Sequence, residues 1–297
     1  MAYIKPKAEY CSLDGEKCVV VRGVSDFDAY RVFDCGQSFR FNAFDGVVDG
    51  VAFGRRIKIR QEGDTLYLSG TDLDDYGAIW EKYLGLDEDY GAINADVCAR
   101  FGVYNGVIND AVKAAHGIRI LRQDHWEALC SFIISQNNNI PRIKKIVSQM
   151  SREIGEKFTA FGEECYAFPT PEAVLDAGID KLNEMKMGFR SKYITDAASR
   201  VVNGAIDLEA IEKMSFPEGE EYLMQIYGVG KKVADCTLLY GYHKTEAFPV
   251  DVWIKRVLEK YYPDGIDLSN LGDYAGIAQQ YLFCYERYIN GLKEANK

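Results

Sequence analysis

The stretch Leu223-Met-Gln-Ile-Tyr-Gly228-Val-Gly230-Lys231-Lys232-Val-Ala-Asp235-Cys236-Thr-Leu-Leu, followed by Pro249-Val-Asp251-Val-Trp253, decides how this chain is read. Gly228 and Gly230 stop an apolar run where a short turn needs positive φ, and a second helical run begins at once with two lysines in its first turn. The expected unit is a helix, a glycine hairpin and a helix over about 218–243. Such a turn leaves backbone N–H groups at the start of the second helix pointing outward, where they and the helix dipole can hold a phosphate. Taken alone, the pattern also fits a purely structural αα-hairpin.

Helical spacing separates the two lysines. Lys231 stands four residues before Asp235, which gives it a surface partner and a solvated or phosphate-contacting role. Lys232 shares a stripe with Cys236 and Leu239. An amine on a semi-apolar face, at a helix N-terminus where added positive charge is disfavoured, is placed to act as a nucleophile toward electrophilic carbon. Asp251 precedes the helical run Val252 to Lys260, so its first role is that helix's N-cap. A carboxylate locked by capping can also stabilise positive charge developing on a nearby sugar.

At 297 residues, 47% of them hydrophobic, the chain can bury two or three packed units. No apolar run approaches membrane-spanning length, and Met1 to Lys7 lacks signal-peptide architecture, so an intracellular protein without membrane partners is expected. Eight cysteines stand singly at 11, 18, 35, 98, 130, 165, 236 and 284, with no Cys-x-x-Cys, which points to reduced thiols and no metal cluster. The net charge of −10 argues against a generic nucleic-acid binder. Distribution outweighs the sum, however, and Arg142, Lys144, Lys145, Arg190, Lys192, Lys231, Lys232, Lys255 and Arg256 collect near the motifs.

Between Cys18 and Gly70 the pattern is strand-like: Cys18 to Arg22, Ser38 to Phe41, Gly46 to Phe53, Arg56 to Arg60 and Thr65 to Ser69, separated by Asp-Gly and Gly-Asp turns. This predicts an antiparallel sheet with a helix from about Leu73 to Leu84 covering one face. After residue 86 strand signals fade, and helix-length segments run to the C-terminus.

Gly228-Val-Gly-Lys-Lys232-Val-Ala-Asp-Cys with Pro-Val-Asp251-Val resembles the helix-hairpin-helix DNA glycosylases, specifically the 8-oxoguanine DNA glycosylase/lyase type. Four further stretches extend the resemblance over most of the chain. Cys35-Gly36-Gln37-Ser38-Phe39-Arg40 is similar to the segment whose glycine carbonyl accepts from N7–H of 8-oxoguanine. Guanine N7 carries no hydrogen, so that carbonyl attracts the lesion and repels the normal base. Ser131-Phe-Ile-Ile-Ser-Gln136-Asn137-Asn138-Asn139-Ile-Pro-Arg142 is similar to the tip that fills the gap left by a flipped base, with Asn137 and Arg142 as readers of the orphaned cytosine. Pro141 replaces an alanine of the animal members. Met187-Gly188-Phe189-Arg190 resembles the segment with an aromatic wedge, Phe189, and a second cytosine reader, Arg190. Gln279 and Phe283, one helical turn apart, match the base-pairing glutamine and stacking phenylalanine, with Cys236 on the other side of the base. Read bare, each of these stretches has an ordinary alternative: a turn at Gly36, a polar loop at the asparagines, a packed aromatic at Phe189 and a core helix around Gln279.

The resemblance implies an α+β fold. Residues 1–95 would form a TBP-like antiparallel sheet domain and 96–297 an all-helical helix-hairpin-helix glycosylase domain. It implies excision of 8-oxoguanine, preferentially opposite cytosine, from duplex DNA by a monomer, with Lys232 as nucleophile and Schiff-base former and Asp251 as electrostatic partner. Gly228, Gly230, Lys231 and Trp253 would contact phosphate, although Trp253 stands where animal members carry a histidine. No cofactor is required. A monovalent cation or calcium can sit on the carbonyls of Met224, Ile226 and Val229, and the iron–sulfur cluster of some relatives is not expected because only Cys284 follows Asp251. The location would be cytoplasm or nucleoid in a prokaryote and nucleus in a eukaryote. Two rivals are a monofunctional alkylbase glycosylase, which would use water and need neither Lys232 nor Gly36, and a non-catalytic DNA-binding hairpin module.

Overall fold

Two separate hydrophobic cores organise the chain in the computed structural model, which describes residues 3–13 and 15–295. The first lies under a six-stranded antiparallel sheet in the order β1-β2-β6-β5-β4-β3: β1 (Lys7–Leu13), β2 (Glu16–Arg22), β3 (Phe41–Phe44), β4 (Val47–Ala52), β5 (Arg55–Glu62) and β6 (Thr65–Ser69). Asp45 and Gly46 join β3 to β4, and Phe53 and Gly54 join β4 to β5, all four at positive φ, as two-residue hairpins with mirror-image turns require. Alternation puts Val48, Ile57, Ile59, Leu66 and Leu68 on one face. That face is covered by helix α1 (Ala29–Asp34) and by a rod made of α2 (Leu73–Asp75), a π-helical turn (Tyr76–Trp80) and α3 (Glu81–Tyr83). Tyr76, Trp80 and Tyr83 are buried there, and the helix expected over 73–84 is found.

The second core is helical: α4 (Tyr90–Gly102), α5 (Val107–Ala114), α6 (His125–Ser135), α7 (Ile140–Ile154), α8 (Pro171–Glu184), α9 (Arg190–Val202), α10 (Phe216–Leu223), α11 (Lys231–Gly241), α12 (Val252–Tyr261) and α13 (Ala275–Ala295). No helix among the described residues is long and apolar enough to cross a membrane.

Four expectations need correction. The division expected between 95 and 96 falls inside α4, whose Tyr90, Ile93 and Val97 all belong to the helical core. The second unit is not all-helical: a hairpin of β7 (Lys157–Ala160) and β8 (Glu163–Tyr166) turns at Phe161 and Gly162, both at positive φ. Ser38 to Arg40 is not strand. It carries Phe39 out of the sheet unit into the helical core, and the strand starts only at Phe41. Finally, not all thiols are reduced, because the β1–β2 register sets Cys11 opposite Cys18 and a disulfide joins them across a Cα–Cα distance of 5.3 Å.

The units are fastened by a buried arginine. Arg119 lies against the Tyr90 ring, 4.5 Å from its centroid, and donates to the carbonyls of Ser25, Asp26, Gly85 and Glu88. Four carbonyl acceptors satisfy a guanidinium that burial would otherwise leave unpaired.

Candidate active site

Ser215 and Glu218 form a capping box at the start of α10, with Pro217 in the first turn where its missing N–H costs nothing. The chain then turns through Gly228 (φ +82°) into α11, so the hairpin expected over 218–243 is present as Phe216–Leu223 and Lys231–Gly241. The two glycines differ. A Cβ on Gly228 would lie 2.3 Å from the Tyr193 ring, so its conformation and its packing both demand glycine. Gly230 is extended (φ −100°, ψ 176°), faces open space and serves as the N-cap, so the expectation of positive φ fails there. Gly228→Ala should therefore cost about 2–4 kcal/mol from left-handed strain plus overpacking, and Gly230→Ala close to nothing. Thermal melts of both variants check this, and equal losses would contradict it.

At the mouth of α11, Val233 and Ala234 donate to the Gly230 carbonyl. The N–H groups of Gly230, Lys231 and Lys232 stand ahead of them as first-turn donors suited to a phosphate. Lys231 is held by carboxylates: it bridges Glu220 and, at 3.6 Å, Asp235. Asp235 is buried rather than at the surface, and burial, with a hydrogen bond from Glu220, pushes its carboxyl up to about 7.

Lys232 is half-buried on the inner side. Its Nζ donates to Ser135 Oγ at the end of α6 (2.9 Å), stands 5.6 Å from the Phe132 ring centroid and is in hydrogen-bond contact with Cys236. Burial pushes the Cys236 thiol up to about 11, against the charge of Lys232 and with those of Asp235 and Asp251, so the amine and the Asp251 carboxylate act on one thiol. Asp251 is the N-cap of α12, accepting from Ile254 N at 2.8 Å. Trp253 on the next turn carries Arg256 over its ring at 5.2 Å, which brings a cation to the position where indole supplies none.

The residues expected to hold the base come together where Gly36 meets α13. Gly36 has φ +82°, and a Cβ there would sit 3.0 Å from Ile140 Cδ1 and 3.6 Å from Phe283 Cε1. Its flanking peptides are clamped: Gln280 Nε2 donates to the Cys35 carbonyl and Gln123 Nε2 to that of Gln37, both at 2.8 Å. Gln37 itself is buried, bonded to Val32, Arg119 and Leu121. Gln279 is buried with Oε1 lacking a partner among the described residues. An unpaired amide oxygen in such a place suits an incoming donor.

Opposite lies the asparagine tip. Asn137 is exposed and left-handed (φ +49°), Asn138 ties back to the Ile134 carbonyl, and Asn139 caps α7 by accepting from Arg142 N. Pro141 falls in the first turn of α7 and is therefore harmless. Arg142 is exposed, with one bond to the Lys186 carbonyl. Phe189 is 47% exposed and begins an aromatic row with Tyr193 and Tyr227 that ends at the hairpin. Arg190 departs from expectation. It is buried and turned inward, donating to the carbonyls of Gln136, Asn137 and Met187, so it braces the tip rather than presenting an edge to a base. The hairpin turn of Met224, Ile226 and Val229 has Val229 N donating to the Ile226 carbonyl.

The sequence reading missed Ser135, Gln123 and Gln280, for which no local signal exists. A cavity of about 970 Å³ lies between β4–β5 and α7 and includes neither Lys232 nor Asp251. The chemistry, not the volume, locates the site.

Comparison with known proteins places the chain in a family. The family described as 8-oxoguanine DNA glycosylase, N-terminal domain, matches residues 19–129, and the HhH-GPD superfamily base excision DNA repair protein family matches 130–265. A solved structure of MBOgg1 with a low-affinity DNA ligand superposes with a TM-score of 0.90 at 40% identity, covering 97% of this chain and 100% of that one. The Clostridium acetobutylicum 8-oxoguanine glycosylase/lyase, solved with double-stranded DNA containing cytosine opposite 8-oxoG, gives 0.88 at 35% identity, covering 97% and 100%. The Saccharomyces cerevisiae N-glycosylase/DNA lyase is 38% identical over 173 residues, 54% of this chain and 46% of the relative. The chain spans about half the length of the curated relatives it matches.

Proposed function

Since the chain belongs to the 8-oxoguanine DNA glycosylase/lyase family of helix-hairpin-helix repair proteins, we propose that it excises 8-oxoguanine opposite cytosine from duplex DNA and then cleaves the abasic site. The observation that carries this is the placement of Lys232, half-buried in the first turn of α11 with Nζ 2.9 Å from Ser135 Oγ and 5.6 Å from the Phe132 ring centroid, away from the carboxylates that hold Lys231. The lesion leaves the stack and enters between Phe283 and Cys236, pairing with Gln279, while the Gly36 carbonyl accepts from N7–H. Lys232 Nζ then forms a bond to C1′ as the glycosidic bond breaks and its electron pair leaves with the base. Asp251 stabilises the positive charge on the sugar. Ring opening gives a Schiff base, and loss of a C2′ proton expels the 3′ phosphate, with the departed base as the proton carrier.

The protein would act as a monomer, with the backbone donors of the hairpin on a phosphate. These steps call on the protein's own groups and the departed base and assign no cofactor. A hard cation on the carbonyls of Met224, Ile226 and Val229 would only bridge hairpin to phosphate, and an all-oxygen donor set suits it.

Borohydride reduction of the reaction mixture tests the reading. A covalent protein–DNA adduct is expected with an 8-oxoguanine duplex, whereas a water-using glycosylase or a binding module would leave none. Reading of the opposite base is assigned to Asn137 and Arg142. Arg142→Ala is expected to remove roughly 1–3 kcal/mol of discrimination for cytosine over adenine, while Arg190→Ala, a brace, should lower rates opposite all four bases together. Single-turnover rates against the four opposite bases distinguish the two patterns, and an unchanged ratio for Arg142→Ala would make it a surface residue.

A further inference from the structure

The wall of the lesion pocket is backed by two thiols distant in the sequence. Cys35 directly precedes Gly36, and Cys284 directly follows Phe283, so each is one peptide from a residue of the proposed lesion site, where Gly36 and Phe283 are neighbours. The two residues are brought together by Gln280, which bonds to both, and each thiol acts on the ionisation of the other. Gln280 locks the pair from the same helix, with its Nε2 2.8 Å from the Cys35 carbonyl and 3.5 Å from Cys284 Sγ. Tyr240 in turn holds the Gln280 amide oxygen.

On the side away from the base, both cysteines line a cavity of about 560 Å³ that also includes Tyr30, Arg31, Lys113 and Arg287. A small solute can therefore approach the thiols without entering the lesion pocket. The cavity carries three cations and the Asp34 carboxylate, and the Arg287 guanidinium lies 5.6 Å from the Phe283 ring centroid. The two sulfurs are chemically unequal. Burial opposes ionisation of Cys35, but hydrogen bonds from Cys284, from the Gln37 amide and backbone, and from Gln280 outweigh it, holding that thiol below its ordinary value. Gln37 Nε2 is 3.2 Å from its sulfur. When protonated, Cys35 has the Val32 carbonyl to donate to, at 3.1 Å. The neighbouring Cys35 and desolvation hold the half-buried Cys284 thiol well above its ordinary value. This is the asymmetry of a nucleophilic thiol beside a resolving one.

We propose that Cys35 and Cys284 form a reversible, peroxide-driven dithiol–disulfide site that controls the lesion pocket from behind. The Cys35 thiolate attacks hydrogen peroxide: an S–O bond forms, the O–O bond breaks, sulfur is oxidised by two electrons and hydroxide leaves. The Cys284 sulfur then attacks the sulfenic acid. An S–S bond forms, the S–O bond breaks, and the departing hydroxide takes the thiol proton as water. A disulfide needs its sulfurs about 2.05 Å apart, closer than two unbonded thiols can stand, so the backbones carrying Gly36 and Phe283 are drawn together. Bond formation at the back thus narrows the slot at the front, and a dithiol reductant reopens it. The effect on excision rests on the function proposed above, but formation of the bond does not.

The test uses the full chain, reduced with dithiothreitol and titrated with hydrogen peroxide. Remaining thiols are alkylated and the peptides mapped, with single-turnover excision followed in parallel. Expected are a linked Cys35–Cys284 peptide and a loss of excision of at least about tenfold, since ångström-scale misplacement costs up to about 10²-fold, both reversed by dithiothreitol. Cys35→Ser should show neither change, and Cys284→Ser should accumulate a sulfenic acid on Cys35 that dimedone labels. Oxidation of Cys98 without the linked peptide would overturn the proposal, as would a linked peptide with unchanged excision or a Cys35→Ser protein that loses activity like the parent. A reduced protein without excision activity would instead refute the function, and the peptide map would still decide the disulfide.

Discussion

Lys232→Gln is expected to lower single-turnover excision of 8-oxoguanine by at least about 10³-fold while keeping affinity for the lesion duplex within a few-fold. The amide keeps the length and polarity of the side chain and a donor for Ser135 Oγ, which Lys232 Nζ meets at 2.9 Å. The fold around it should therefore survive. What is lost is an amine that can bond to C1′. Lys231→Gln, one residue away, should retain excision, because Lys231 is occupied by Glu220 and Asp235 on the outer side of the helix. If the two variants behaved alike, the separation of the lysines by helix face would be wrong.

The second large effect concerns discrimination between 8-oxoguanine and guanine, which differ by an oxygen at C8 and a hydrogen at N7. Stacking on Phe283 and pairing with Gln279 would accept both bases, so an acceptor facing N7 must decide. The acceptor proposed is the Gly36 carbonyl, between peptides clamped by Gln280 and Gln123. Gly36→Ala places a methyl 3.0 Å from Ile140 Cδ1 and 3.6 Å from Phe283 Cε1, in a left-handed conformation that costs an L-residue about 1–2 kcal/mol. Ile140 can yield, but the pocket wall moves with it. Excision should fall on the order of 10²-fold, with weaker binding of lesion duplex and nearly unchanged binding of abasic duplex, which has no base to read. Gln279→Ala should weaken purine recognition generally. Equal losses of both affinities in Gly36→Ala would make Gly36 a folding glycine only.

Local signals made much of this legible in the sequence. Asp251 caps α12 because Asp followed by a periodic run can do little else, and the hairpin follows from Gly228 between two apolar runs. The sheet was readable where turns were strong, as at Asp45-Gly46. It was not readable at β1, where burial does not alternate cleanly, or at β7 and β8, which are four residues each and draw their pairing from a turn at Phe161-Gly162. Contacts between distant segments were beyond reach: Ser135 meets Lys232 across 97 residues, and Arg190 reaches back 54 residues to the Gln136 carbonyl. The same holds for Cys11 and Cys18. They look isolated in the sequence but face each other once the β1–β2 register is set.

The central claim is that Lys232 is the atom source of the covalent bond to DNA. Its most direct test is to trap the wild-type chain on a duplex with 8-oxoguanine opposite cytosine using borohydride, digest the adduct, and sequence the peptide that carries the sugar remnant by mass spectrometry. The remnant should lie on Lys232 and on no other lysine. A remnant on Lys231 or another amine, or release of the base with no adduct, would contradict the account.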